Sequence, residues 1–155
     1  KAMEFEEYGQ AYAQDTVANA KAFASALASE GFDVLAESRG YTATHQVLTR
    51  HGDLDSGAGA KAARLLEDAG IITNMNMLPG DTKALTPSGL RLGVQELTRV
   101  GMDQTQMEEV AALYARALIK GEDTQSVKKD VKQLKSEFQT IRYCFNEDNL
   151  NGYPF

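Results

Sequence analysis

The sequence predicts an α+β fold, an α/β sandwich in which a short sheet is covered by helices and preceded by one long helix. Three patterns carry that prediction. Apolar residues at three- and four-residue steps mark helices at both ends of the chain, and short β-branched or alternating runs between them mark strands. Glycines stand at the ends of the periodic stretches, where helices stop.

Taken in order, Phe5, Tyr8, Tyr12, Val17, Ala20, Phe23, Ala24 and Leu27 define a long amphipathic helix over residues 4–30, closed by Gly31. A stripe this long needs more partner surface than the following elements supply, so its first half is expected to pack on something outside this chain. Residues 32–36 and 45–49 read as two strands that can pair antiparallel around Ser38-Arg39-Gly40. Asp55 or Ser56 is the expected N-cap of a second helix over 58–69, with Ala62, Leu65, Leu66 and Ala69 inward and Gly70 as its stop. Ile71-Ile72-Thr73 reads as a short buried strand, 79–88 as a loop, and 90–92 as a strand that points Arg91 away from Leu90 and Leu92. A short helix over 94–100 ends at Gly101, and two longer ones cover 102–120 and 124–138. Lys128, Lys129, Lys132 and Lys135 on the last helix read as a solvated face rather than a binding patch.

At 155 residues the chain is large enough to bury a core without staples. Its net charge of -6 provides no basic footprint for nucleic acid or an anionic membrane, so an anionic ligand needs a local cation. No stretch has the length of a membrane span, and the first residues do not lead into a signal-peptide core. With one cysteine, Cys144, no intrachain disulfide is possible, and among its apolar neighbours it reads as a small buried filler. A soluble, cytoplasmic protein is expected. The two histidines, His45 and His51, with a single cysteine do not make a zinc site without carboxylates, and no metal is expected. No HExxH, CxxC, GxSxG, GxGxxG or Walker pattern occurs.

The stretch from 71 to 99 concentrates polar groups: Asn74 and Asn76, the turn-forming Pro79-Gly80-Asp81, then Pro87-Ser88-Gly89 leading into Arg91. A guanidinium is a planar fork of permanent charge that matches a carboxylate bidentately. Spacing alone leaves Arg91 open between an anion-binding role and an internal ion pair with Glu96.

The helix YGQAYAQDTVANAKAFASAL, the THQV at 44–47, AARLLEDAGIITNMNMLPGD at 62–81 and PSGLRLGVQELTRVGM at 87–102 resemble the C-terminal small domain of serine hydroxymethyltransferase, a fold type I enzyme dependent on pyridoxal phosphate. THQV and GVQELTR are most similar to the archaeal-type branch. The resemblance runs from about residue 4 to 118 and more loosely through the tail. It implies that Arg91 binds the α-carboxylate of serine or glycine, that Asn76 lies near the pterin of tetrahydrofolate, that the loop 78–88 borders that site, and that Thr98 and Arg99 are structural support. It further implies a dimer with small-molecule substrates, working in one-carbon and amino-acid metabolism.

Two departures stand out. Met75 replaces the lysine usual between the asparagines, and residues 48–56 lack the family's Val-Asp-Val wording. They leave room for a transaldolase or aldolase of β-hydroxy amino acids that uses no folate. The threonine-rich segment that ends in the family's Schiff-base lysine has no counterpart in this sequence, nor has the cofactor's phosphate loop. No catalytic or cofactor-binding residue is therefore expected within the chain, which by itself should be inactive. The implied organisation is a helix over 1–30 bridging from a large domain outside the chain, a small C-terminal domain over 31–142, and a tail over 143–155. A non-catalytic interaction module that kept the fold is the remaining alternative.

Overall fold

The computed structural model describes residues 2–145. Its first element, α1 (Ala2–Ser29), ends where the sequence places the stop. Gly31 takes φ 97°, and the amides of Gly31 and Phe32 return to the carbonyls of Ala28 and Leu27, so the helix closes through a left-handed glycine. There follow β1 (Asp33–Val34), a 3-10 turn at Glu37–Arg39, β2 (Gln46–Arg50), α2 (Ala58–Asp68), β3 (Asn74–Asn76), β4 (Gly89–Gly93), α3 (Gln95–Arg99), α4 (Gln104–Leu118) and α5 (Thr124–Glu137). The four strands form one antiparallel sheet in the order β1-β2-β4-β3. The expected α+β class is observed.

The helices pack on one face of that sheet. Val47, Leu90 and Leu92 meet Ala20, Phe23, Ala24 and Leu27 of α1, Ala62 and Leu66 of α2 and Met107 and Ala111 of α4 in one apolar cluster. Each large side chain buried there contributes roughly 1.5–3 kcal/mol by leaving water. The backbone of α2 comes so close to β4 that a Cβ at Gly59 would overlap Gly89, which explains a glycine inside that helix. Asp103 and Gln106 form a reciprocal capping box that starts α4. A buried polar network ties α1 to α3: Asn19 Nδ2 donates to Thr98 Oγ1 at 3.0 Å and to the Met102 carbonyl at 2.9 Å.

Four local expectations are corrected. The strand expected at 71–73 lies at Asn74–Asn76, and Ile72 is 91% exposed. The amides of Gly70 and Ile71 are taken by the Glu67 and Leu66 carbonyls, so this stretch is the exit of α2 and cannot begin a ladder. Gly57, not Asp55 or Ser56, is the N-cap of α2, with no side-chain cap, because Asp55 is bound elsewhere. Leu65 is 45% exposed rather than inward. Cys144 is half-buried rather than buried, its thiol 3.4 Å from the Ile141 carbonyl; its segment lies on the outside of α1, where Tyr143 donates to Asp15 at 2.6 Å. The rest of the expected tail, 146–155, lies outside the described residues.

In the first half of α1 only Gly9 is buried, and Phe5 is 67% exposed, whereas Thr16, Asn19, Ala20, Phe23, Ala24 and Leu27 of the second half are buried. No helix among the described residues is long and apolar enough to cross a membrane.

Candidate functional site

Alternation along β4 decides what reaches the uncovered face. Leu90 and Leu92 turn to the helices and Arg91 turns away from them. In the sheet register Leu48 of β2, Arg91 of β4 and Asn74 of β3 lie in one row, so their side chains share the outer face. Beside Arg91 and Asn74 opens a polar cavity of about 320 Å³, lined also by His45, Gln46, Thr73, Leu92, Gln95 and Tyr114.

The ion pair between Arg91 and Glu96 is not formed, and among the described residues Arg91 has no carboxylate partner. Its neighbour is an amide. With the Asn74 side chain turned so that both its ends are satisfied, the amide oxygen accepts from Arg91 Nη2 at 2.7 Å and the nitrogen donates to the Met75 carbonyl at 3.2 Å. The Thr73 hydroxyl is buried without a hydrogen-bond partner. An exposed guanidinium with a neutral neighbour suits an incoming carboxylate, since its charge is not already neutralised.

Asn76 shares the outer face but pairs with Gly89, two residues along β4 from Arg91, and its Nδ2 donates to the Met77 carbonyl at 2.6 Å. It does not line the cavity around Arg91. The loop beyond it is fastened by two aspartates. Asp81 accepts from the amides of Asp55, Leu78 and Ser88 and from the Ser88 hydroxyl, at 2.7 to 2.9 Å. Asp55 in turn accepts from the amides of Thr82 and Lys83 and from the Thr82 hydroxyl. Burial pushes the Asp81 carboxyl up, and the amide hydrogen bonds outweigh it, holding the group well below the usual carboxylate range. Because Leu78 follows β3 and Ser88 precedes β4, this clasp fixes the hairpin that sets Asn74 opposite Arg91.

His51 is bound structurally: its Nε2 lies 2.9 Å from Thr49 Oγ1, its ring meets Phe32 edge-on, and burial lowers its pKa against the pull of Asp33. A larger groove of about 720 Å³ lies between the first half of α1, α3 and Tyr143, away from Arg91. Arg99 lines it, 4.0 Å from Glu4, while Thr98 is buried in the network with Asn19.

Sequence reasoning singled out Arg91 but not Asn74, the residue that stands opposite it in the sheet. The signal was present in N-x-N, whose period of two puts both asparagines on one face of a strand.

The serine hydroxymethyltransferase family model matches residues 1–114. The chain belongs to the serine hydroxymethyltransferase family. It is 52% identical over 147 residues to serine hydroxymethyltransferase of Pyrococcus horikoshii, covering 94% of this chain and 34% of that protein. Against serine hydroxymethyltransferase of Thermoplasma acidophilum it is 45% identical over 152 residues, covering 96% of the chain and 34% of the relative. A crystal structure of L-threonine transaldolase from Pseudomonas fluorescens in its internal aldimine state matches 96% of the chain and 34% of its own, with a TM-score of 0.82 and 32% identity. The chain thus spans about a third of the curated relatives it matches.

Membership implies dependence on pyridoxal phosphate at the level of the superfamily. The residues around Arg91 do not fit that group: it needs a lysine to bond it and a cradle for its phosphate, and among the described residues no lysine lines this cavity. They fit a carboxylate.

Proposed function

We propose that the chain is the small C-terminal domain of a longer pyridoxal-phosphate enzyme, of the archaeal-type branch, that interconverts serine and glycine with tetrahydrofolate. The observation that carries this reading is Arg91, without a carboxylate partner among the described residues and presented on the outer face of the sheet beside a polar cavity, in a chain of this family. Its part in the reaction is to hold the α-carboxylate through two parallel N–H···O bonds, which limits rotation of the amino acid and lowers the entropy cost of reaching a reactive geometry. The cofactor is held by the part of the protein outside this chain. Asn76 and the loop 78–88, stiffened by Asp55 and Asp81, border the folate. Residues 1–30 bridge to the large domain, which covers the exposed first half of α1; residues 31–142 are the small domain and 143–155 its tail. The complete protein is a cytoplasmic homodimer.

The test is Arg91→Ala in the complete enzyme, where serine KM should rise or kcat/KM fall by orders of magnitude. An unchanged kcat/KM removes the assignment.

A second reading, a transaldolase without folate, is favoured by the likeness to the Pseudomonas enzyme and by Met75 between the asparagines. Arg91 serves both, whereas Asn76 matters to the first alone. Rates with serine and tetrahydrofolate, against threonine and an aldehyde, separate them. The identity of 52% to a serine hydroxymethyltransferase supports the first.

A further inference from the structure

We propose that Asn74 is a positioning residue that holds the Arg91 guanidinium ready for the substrate carboxylate. The inference rests on the assignment of Arg91 to that carboxylate and adds a second residue to the same site. Asn74 stands directly opposite Arg91 in the β3–β4 register, and in the amide orientation that satisfies both its ends the oxygen accepts from Nη2 at 2.7 Å. The amide is itself anchored, because its nitrogen donates to the Met75 carbonyl at 3.2 Å. Leu48, opposite Arg91 on the other side, offers no competing polar group.

The chemistry of the partner matters. An exposed arginine on a strand has many rotamers, and a ligand that must freeze them loses affinity. One hydrogen bond from Asn74 removes much of that freedom beforehand. It takes one of the five N–H donors of the guanidinium and leaves the others for a two-point contact with the ligand. Because the acceptor is a neutral amide, the positive charge stays uncompensated until substrate arrives. An aspartate at the same place would hold Arg91 more firmly and would also compete with the substrate for it. Asparagine orients without neutralising.

The experiment uses the complete, cofactor-loaded enzyme with three variants, Asn74→Ala, Asn74→Asp and Arg91→Lys. Serine KM and kcat are measured together with the glycine Kd by calorimetry and the thermal midpoint. For Asn74→Ala, KM and Kd should rise about tenfold while the midpoint holds, the size expected from losing one charge-assisted hydrogen bond. Asn74→Asp should raise both constants further, and Arg91→Lys should raise them as well. Wild-type constants in the Asn74 variants, with Arg91→Lys impaired, overturn the positioning role and leave the carboxylate site standing. An Asn74→Asp Kd at or below that of Asn74→Ala also overturns it, as does a fall in kcat and midpoint with no rise in Kd. Unchanged constants in Arg91→Lys overturn the carboxylate site itself, and this inference with it.

Discussion

On the helix side of the sheet Val47, Thr49, Leu90 and Leu92 are at most 3% exposed, while Gln46, Leu48, Asn74 and Arg91 on the opposite side stay half-buried or exposed. The same strands build both faces, and a period of two separates the residues that hold the domain together from those that can meet a ligand. Adjacent positions on β4 therefore differ in surroundings: Leu90 is buried in the core, and Arg91 is exposed on the outer face, where we propose the substrate carboxylate binds. Function can change on the outer face with little cost to folding, and a slip of one residue in register would exchange the two sets.

The sharpest way to break this comparison is to mutate neighbours on β4. Arg91→Ala in the complete enzyme should cost roughly 2 to 5 kcal/mol in kcat/KM for serine and leave the thermal midpoint nearly unmoved. Leu90→Ala should show the converse, losing about 2 to 5 kcal/mol of unfolding free energy in urea titration through the cavity it leaves. If both variants lose activity and stability together, the division of labour between the faces is wrong.

Asp81→Asn should act on the outer face through the loop. It should loosen 78–88, seen as faster amide exchange at Leu78 and Ser88, and raise KM for the second substrate more than for serine. The pH dependence has a definite sign. The folded-state pKa of Asp81 is lowered, so its contribution is complete above the ordinary carboxylate pKa of about 3.9 and is lost as pH falls below that value. The stability gap between wild type and Asp81→Asn should therefore narrow as midpoints are followed from about pH 5 to pH 2. The smallest effect is expected for Arg50→Ala. Its pairing with Asp33 at 3.4 Å is solvent-facing, and removing it should cost about 1 kcal/mol or less, shrinking with added salt.

Much of the fold was legible because it is written in short periods. Phe23 and Leu27 on α1, Met107 and Ala111 on α4 and the Leu90-Arg91-Leu92 alternation each follow from spacing alone, and each is found on the expected face. Two of the misses come from hydrogen bonds already made elsewhere. Ile71-Ile72-Thr73 has the composition of a strand, yet the Ile71 amide closes the end of α2 on the Leu66 carbonyl, and the ladder to β4 begins only at Asn74. Asp55 has the composition of a cap, yet its carboxylate reaches Thr82 and Lys83 in another loop. In the first case the closing turn of the preceding helix overrode strand propensity, and in the second a partner distant in the chain overrode a local capping preference.

The sequence by itself determined the class of fold, the helices and their stops, and the fact that one arginine among leucines must leave the core. These follow from local periodicity and from the cost of burying a charge. Only the tertiary structure decided that Asn74 stands opposite Arg91, that Asn76 lies further along the hairpin, and that two aspartates fasten the loop between β3 and β4. Cross-strand partners and long-range hydrogen bonds depend on how separate segments are brought together, and no spacing within a single segment encodes that.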